Sequence, residues 1–235
     1  MFYLLCFILF NIFFRIFFLY RVDGREKLVR YKKNGRPFVI CSNHLSALDP
    51  VFIIMAWGIG KKLSIMAKAE LFRNPILNWM GRHVNAFPVE RGKGDRGALE
   101  KGIREVREGH GMLIFPEGTR GRSNKMIRMK SGAFLIAGQT GADIIPVRVI
   151  YPTKTSHLRV FGRVVVRIGD PIPSEEMHLE EGSRKALREV KARLQNELDR
   201  LFDEYNESVG GVLPLYDPTR KTDALPEREP SDERE

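Results

Sequence analysis

Short apolar runs closed by turn residues recur along this chain and alternate with stretches of helical apolar spacing. RPFVICSN, Arg36 to Asn43, reads as a buried strand. Asp49-Pro50 then marks a helix start, with Asp in the capping position and Pro at the first helical position. That helix runs through VFIIMAW and stops near Gly58 or Gly60. KLSIMAKA, HVNAFPVER, GMLIFPEG, ADIIPVRVIY and LRVFGRVVVRIG are further strand candidates. Between them, Asn74-Pro75 opens a helix over PILNWMG, and Leu99, Ile103 and Val106 share one face of GDRGALEKGIREVREG. SGAFLIAGQTG is a short helix, and Ser183 to Tyr205 is a long amphipathic one. Strands alternating with helices predict an α/β fold with a largely parallel sheet flanked by helices. After Glu207 come Gly210-Gly211, four prolines and mixed charges, which predict a disordered C-terminal tail.

The first twenty residues, MFYLLCFILFNIFFRIFFLY, break the pattern. Nine are aromatic, and Arg15 is their one formal side-chain charge. Twenty apolar residues in a helix are just long enough to cross a bilayer. Asn11 and Arg15 are spaced i, i+4 and share a helical face, and such a polar stripe suits a segment lying in the membrane interface. Arg21, Arg25 and Lys27 follow at once, ready for headgroup phosphates. A buried core helix is the competing reading, but nine aromatics are hard to hide in one small core. A cleaved signal fits poorly, because no basic stretch precedes the run and no small-residue cleavage site follows it.

Charge sharpens the membrane reading. The net charge is +10, yet residues 206–235 hold eight acidic and four basic side chains, so the remainder carries +14. Such a surface suits an anionic partner: nucleic acid, an anionic membrane or a phosphorylated substrate. No nucleic-acid recognition motif is visible, and the apolar N-terminus argues against that class. Cys6 and Cys41 lie far apart, and the five histidines show no ligand spacing, so neither a disulfide framework nor a metal site is expected. A reducing compartment fits best.

His44 and Asp49 in NHLSALDP carry the first candidate chemistry. In one continuous helix they would stand about 140° apart and would not meet. A strand ending near Asn43 and a helix beginning near Asp49 leave a loop that can bring the carboxylate to the ring. Asp49 would then hold one ring nitrogen as N–H and leave the other free to take a proton. The competing readings are a plain helix cap for Asp49 and a structural histidine in a turn. Strand carboxyl ends are where sites collect in parallel α/β sheets, and His44 falls there. No G-x-S-x-G elbow appears, and Cys41 sits in an apolar strand where it would be poorly ionised. Direct base catalysis on a substrate hydroxyl, without a covalent intermediate, is therefore favoured.

FPEGTRGR, Phe115 to Arg122, brings a carboxylate, two glycines and two arginines to another strand end. Arginine forks match phosphate oxygens, and Gly118 and Gly121 allow close backbone approach, with Thr119 adding a hydroxyl. Glu117 can hold an arginine or a substrate hydroxyl; a charged, solvated turn is the alternative. FPVERG places Arg91 similarly, and Lys68 is a lone cation near a strand end.

NHLSALD, AFPVERG, FPEGTR and IIPVRV, in this order, resemble the ordered blocks of the glycerolipid acyltransferases, most nearly the bacterial 1-acyl-glycerol-3-phosphate acyltransferase type. The resemblance covers roughly Val22 to Asp170. It implies an enzyme that moves an acyl group from acyl-CoA or acyl-carrier protein to the free hydroxyl of lysophosphatidic acid, giving phosphatidic acid, with no cofactor and no metal. It implies His44 as general base oriented by Asp49, and Arg91, Glu117, Gly118, Thr119 and Arg120 at the acceptor phosphate. Lys68 is a looser match to the developing oxyanion. The expected organisation is a membrane-docking helix over 1–21, a catalytic domain over 22–205 and a flexible tail over 206–235. The protein is expected on the cytoplasmic face of the cell membrane, monotopic or single-span, with membrane lipids as partners. A related acyltransferase with another acceptor and a non-catalytic membrane lipid-binding protein are the alternatives.

Overall fold

The computed structural model describes residues 12–58, 63–83, 85–89, 96–153, 158–179 and 183–215. Seven strands form one sheet in the order β1-β7-β6-β2-β5-β3-β4. They are β1 Leu19–Asp23, β2 Phe38–Ser42, β3 Leu63–Lys68, β4 Ala86–Val89, β5 Gly111–Ile114, β6 Asp143–Ile150 and β7 Arg163–Ile168. Every neighbouring pair is parallel except β6 with β7. The helices are α1 over 12–17, α2 Arg25–Asn34, α3 Asp49–Trp57, α4 Pro75–His83, α5 Arg96–Arg107, α6 Gly132–Thr140 and α7 Arg184–Ser208. This is the α/β fold, with a mostly parallel sheet flanked by helices, that the alternating pattern predicts.

Helices cover both faces, so the central strands are apolar throughout rather than alternating. Val39 and Cys41 of β2 point toward a core shared with α5, α6 and α7. Phe38 and Ile40 point to the opposite core, shared with α1, α2 and α3. Helix α7 is held at its start by Ser183, whose hydroxyl accepts from the Ala186 N–H at 3.3 Å. It buries Val190, Leu194, Leu198, Leu201 and Tyr205 along one stripe.

Pro146 lies inside central strand β6, opposite Cys41 of β2. Its carbonyl accepts from the Gly169 N–H, on the β7 side. A residue's N and C=O share one in-plane side of a strand, so the missing N–H also faces β7. The β6–β7 ladder begins only at Val147 with Ile168, so the proline costs no ladder bond.

The described residues differ from the expected element bounds at both ends of the domain. Residues 1–11 of the expected docking helix lie outside the described residues, and the helix seen over 12–17 gives way to strand β1, which crosses the expected boundary at residue 21. The strand wins because β7 offers an open edge and Tyr20 can reach the core, its hydroxyl donating to Phe52 O at 2.7 Å. Among the described residues no helix is long and apolar enough to cross a membrane. Residues 206–215, expected in the flexible tail, pack against the domain. Asn206 exchanges two hydrogen bonds with the Leu213 backbone, and Leu213 is buried against Ile150, Val165, Phe202 and Tyr205. Residues 216–235 lie outside the described residues.

Candidate active site

Strands β2 and β5 are parallel neighbours, so the segments that follow them emerge side by side at the carboxyl edge of the sheet. One carries His44, the other Phe115 to Arg122. Asn43 extends the β2–β6 pairing by its side chain: Nδ2 donates to Val149 O at 2.9 Å and Oδ1 accepts from Val149 N at 2.8 Å. His44 leaves the sheet from that fixed point.

The loop from His44 to Asp49 folds back, and the carboxylate meets the ring. His44 Nδ1 and Asp49 Oδ2 are 2.9 Å apart, and the same oxygen accepts from the N–H groups of Leu45 at 2.6 Å and Ser46 at 2.7 Å. Tyr151, at the end of β6, donates its hydroxyl to Asp49 Oδ1. Burial, then the Asp49 charge, holds the Tyr151 phenol far above its ordinary pKa, so it stays a donor. Asp49 is the first residue of α3 and Leu48 its N-cap; the described bonds of the Asp49 carboxylate run to His44, Leu45, Ser46 and Tyr151. Its carboxylate is turned back to the His44 ring and to the loop that precedes the helix. With Asp49 ionised, the histidine tautomer protonated at Nδ1 donates to it, leaving Nε2 as the basic nitrogen. The ring also stacks on Phe115, with centroids 4.2 Å apart.

The second segment wraps the main chain of the first. The His44 N–H donates to Glu117 Oε1 at 3.0 Å, and the His44 carbonyl accepts from the Gly121 N–H at 2.6 Å. Glu117 Oε2 accepts from the Ile127 N–H at 3.2 Å. Both carboxylate oxygens are thus taken by backbone donors. Among the described residues no arginine side chain bonds to Glu117; it ties the loop that follows it to His44. Gly118 has φ +69°, and a Cβ there would lie 2.8 Å from the Lys130 side chain. Thr119 and Arg120 are exposed at the bend between Glu117 and Gly121. Arg120, Arg122, Lys125, Arg128 and Lys130 are all exposed along this loop, an array suited to anionic ligands.

Glu117 is 4% exposed, and burial pushes its carboxyl up to about 7, against the lowering effect of its two N–H donors and Arg148. Its folded pKa therefore lies above its ordinary value. The stabilisation is complete below the ordinary carboxylate range and is lost as pH rises through about 7. We expect the stability of wild type relative to Glu117→Gln to fall by about 3 kcal/mol between pH 4.5 and 8. Denaturant unfolding of both proteins across that range checks this; a constant difference would refute the shift.

Arg148, in the IIPVRV block, is 1% exposed inside β6. It donates to Asn124 O and approaches Asp199 at 3.9 Å, while burial lowers its pKa to about 10. Asn124 in turn donates to Pro214 O at 2.9 Å, so the 206–215 segment braces the loop after Gly121. Lys68 ends β3 at the same sheet edge and is ion-paired with Glu70 at 3.1 Å, both about half exposed. Arg91 lies outside the described residues, two positions after β4 ends. Ser42 and Ser46 are occupied: the Ser42 hydroxyl donates to Asn43 O, and that of Ser46 accepts from Leu48 N. Burial drives the Cys41 thiol far above its ordinary range.

Asn43 and Tyr151 were not singled out by sequence. Each acts through a partner more than a hundred positions away, which short-range spacing cannot show.

Fold and site together define an α/β protein with a histidine–carboxylate pair at the carboxyl edge of a parallel sheet. The Acyltransferase family model matches residues 20–150, more than half of the chain, and the chain belongs to that family. The 1-acyl-sn-glycerol-3-phosphate acyltransferase of Bacillus subtilis (strain 168) is 29% identical over 184 residues, covering 73% of this chain and 89% of the relative. The Streptococcus pneumoniae protein of the same name is 30% identical over 168 residues, covering 71% and 61%. The chain spans only 44% of the chloroplastic relative LPAT1 of Arabidopsis thaliana, at 28% identity. The crystal structure of the 1-acyl-sn-glycerophosphate (LPA) acyltransferase PlsC from Thermotoga maritima matches with a TM-score of 0.57 and 28% identity, over 77% of this chain and 72% of that one.

Proposed function

We propose that this protein is a 1-acyl-glycerol-3-phosphate O-acyltransferase working at a membrane surface by histidine–aspartate base catalysis. The observation that carries the reading is the clamp on His44, its ring held by Asp49 and its main chain by Glu117 and Gly121. Similarity to relatives named for this activity supports the choice of reaction.

In this reading the acceptor phosphate binds Arg120 and Arg91, with Thr119 and the Gly118 backbone beside them. Glu117 shapes that site without touching the phosphate. The acceptor hydroxyl then lies within about 3 Å of His44 Nε2, which takes its proton as the oxygen attacks the thioester carbonyl. Asp49 stabilises the imidazolium that forms. The tetrahedral intermediate collapses with C–S cleavage, and the thiolate leaves with the proton returned by His44. Lys68 can serve the oxyanion only by exchanging Glu70 for substrate. The donor is acyl-CoA or acyl-carrier protein, and no cofactor enters these steps. The apolar N-terminal segment holds the enzyme to the cytoplasmic face of the membrane.

Thiol release by the detergent-purified protein tests the reaction, using palmitoyl-CoA with lysophosphatidic acid or with glycerol-3-phosphate. Release with lysophosphatidic acid alone is expected. Release only with glycerol-3-phosphate would reassign the acceptor. No release with either would overturn the acyl-CoA form of the proposal and direct the assay to acyl-carrier protein or another lysolipid.

A further inference from the structure

Helix α1 and the turn that leads into β7 form one exposed apolar surface, although they lie beyond opposite ends of the family-matched segment. Phe14 and Phe18 of the first segment turn inward onto Phe52, with ring centroids 5.6 and 5.4 Å away. Ile12, Phe13 and Ile16 turn outward and are 50, 50 and 64% exposed. In the turn before β7, Val160 is 64% and Phe161 68% exposed. The two segments are joined: the Phe161 N–H donates to Phe17 O at 2.7 Å, the Leu19 N–H donates to Gly162 O at 3.0 Å, and the Phe17 and Phe161 rings stack at 5.5 Å.

Phe161 has φ +61°, a left-handed conformation that crowds the Cβ of a bulky residue. Asparagine or glycine would sit there more easily. Beyond its stack on Phe17, this strained aromatic keeps most of its surface in solvent, so the backbone cost is not offset by burial within the chain.

Topology indicates what covers it. Strand β7 runs antiparallel to β6, and β1 runs parallel to β7. Both therefore begin at the carboxyl edge of β2 and β5, where His44 and Glu117 stand. Arg15, Arg159 and Arg163 are exposed around the apolar surface. An apolar patch rimmed by cations complements acyl chains beneath anionic headgroups.

We infer that Val160 and Phe161 are a second membrane anchor, which inserts beside α1 into an anionic bilayer and turns the carboxyl edge of the sheet toward the lipid. Lateral delivery of a lipid acceptor to His44 rests on the proposed acyltransferase reading; the anchoring itself does not.

Sedimentation of the full chain with phosphatidylcholine vesicles containing phosphatidylglycerol tests the anchor. Phe161→Asn combined with Val160→Ser is the variant, because Asn tolerates the left-handed backbone. Its partition coefficient is expected to fall by about tenfold or more, as for withdrawing one buried apolar side chain. Phe161→Trp should keep the wild-type partition. Thiol release from short-chain, vesicle-free substrates should be unchanged in both. If the double variant melts early, Val160→Ser alone carries the test, with a smaller fall in the same direction. Unchanged partition would overturn the anchor. So would a change in solution mass accompanying the loss, which would make the patch a contact between copies. Partition that falls as expected in a protein whose wild type releases no thiol would overturn the acyl-CoA form of the proposed activity and leave the anchor standing.

Discussion

His44→Ala is expected to lower turnover by about 100- to 10,000-fold, the range for losing a positioned general base. The fold should survive. Asp49 keeps the N–H groups of Leu45 and Ser46 and the Tyr151 hydroxyl after the ring is gone. The clamp of Glu117 and Gly121 uses main-chain atoms of His44, which alanine retains. What is lost inside is the ring's contact with Phe115. A melting temperature within a few degrees of wild type should therefore accompany the fall in kcat. Acceptor KM should change little, because the phosphate contacts proposed for Arg120 and its neighbours do not pass through the imidazole. Activity retained with long-chain donors would remove His44 from the mechanism. A matching loss of stability would show that the ring's role is packing.

The site was partly legible in the sequence because it is built from local signals. NHLSALDP and FPEGTR each follow a short apolar run, and parallel pairing of β2 with β5 brings the two runs' ends together. The order of the helices and strands was legible for the same reason, since apolar spacing changes sharply at Asp49-Pro50, Asn74-Pro75 and Ser183. Three kinds of feature were not. Strand β1 continues an apolar run without a break, so periodicity cannot mark where helix ends and edge strand begins. Helix α2 buries only Leu28 and Tyr31, too narrow a stripe to stand out from its charged residues. The 206–215 segment looks like a linker by composition, and its order comes from Asn206 and Leu213 closing on each other against α7 and β6. The role of Asp49 was ambiguous for a related reason. Asp-Pro is a good helix start in any context, and only the folded loop shows the carboxylate turned back to His44. Glu117 carried the opposite ambiguity. Its place among arginines suggested a partner for one of them, yet the nearest obligatory donors proved to be backbone N–H groups.

Asp49 separates stability from catalysis more sharply than His44 does. Asp49→Ala strips the acceptor from two backbone N–H groups and a buried phenol at once, and should cost about 3–5 kcal/mol. Asp49→Asn should cost about 1–2 kcal/mol, because its amide oxygen can keep the Leu45 and Ser46 bonds while Tyr151 turns its hydroxyl to accept from the new NH2 group. The asparagine variant should nonetheless lose activity by up to about 10,000-fold, since the charge that balances the imidazolium is gone. Urea unfolding and thiol release on the two variants distinguish these effects. If Asp49 orients His44 and does nothing else for the reaction, the two side chains act as one unit. The double variant His44→Ala/Asp49→Asn should then be no slower than the slower single variant, because groups acting together do not lose rate additively. Multiplied losses would mean that Asp49 also serves the reaction independently, through Tyr151 or the loop it holds. Full activity in Asp49→Asn would show that hydrogen bonding alone sets the ring, and that the aspartate's charge contributes nothing to proton transfer.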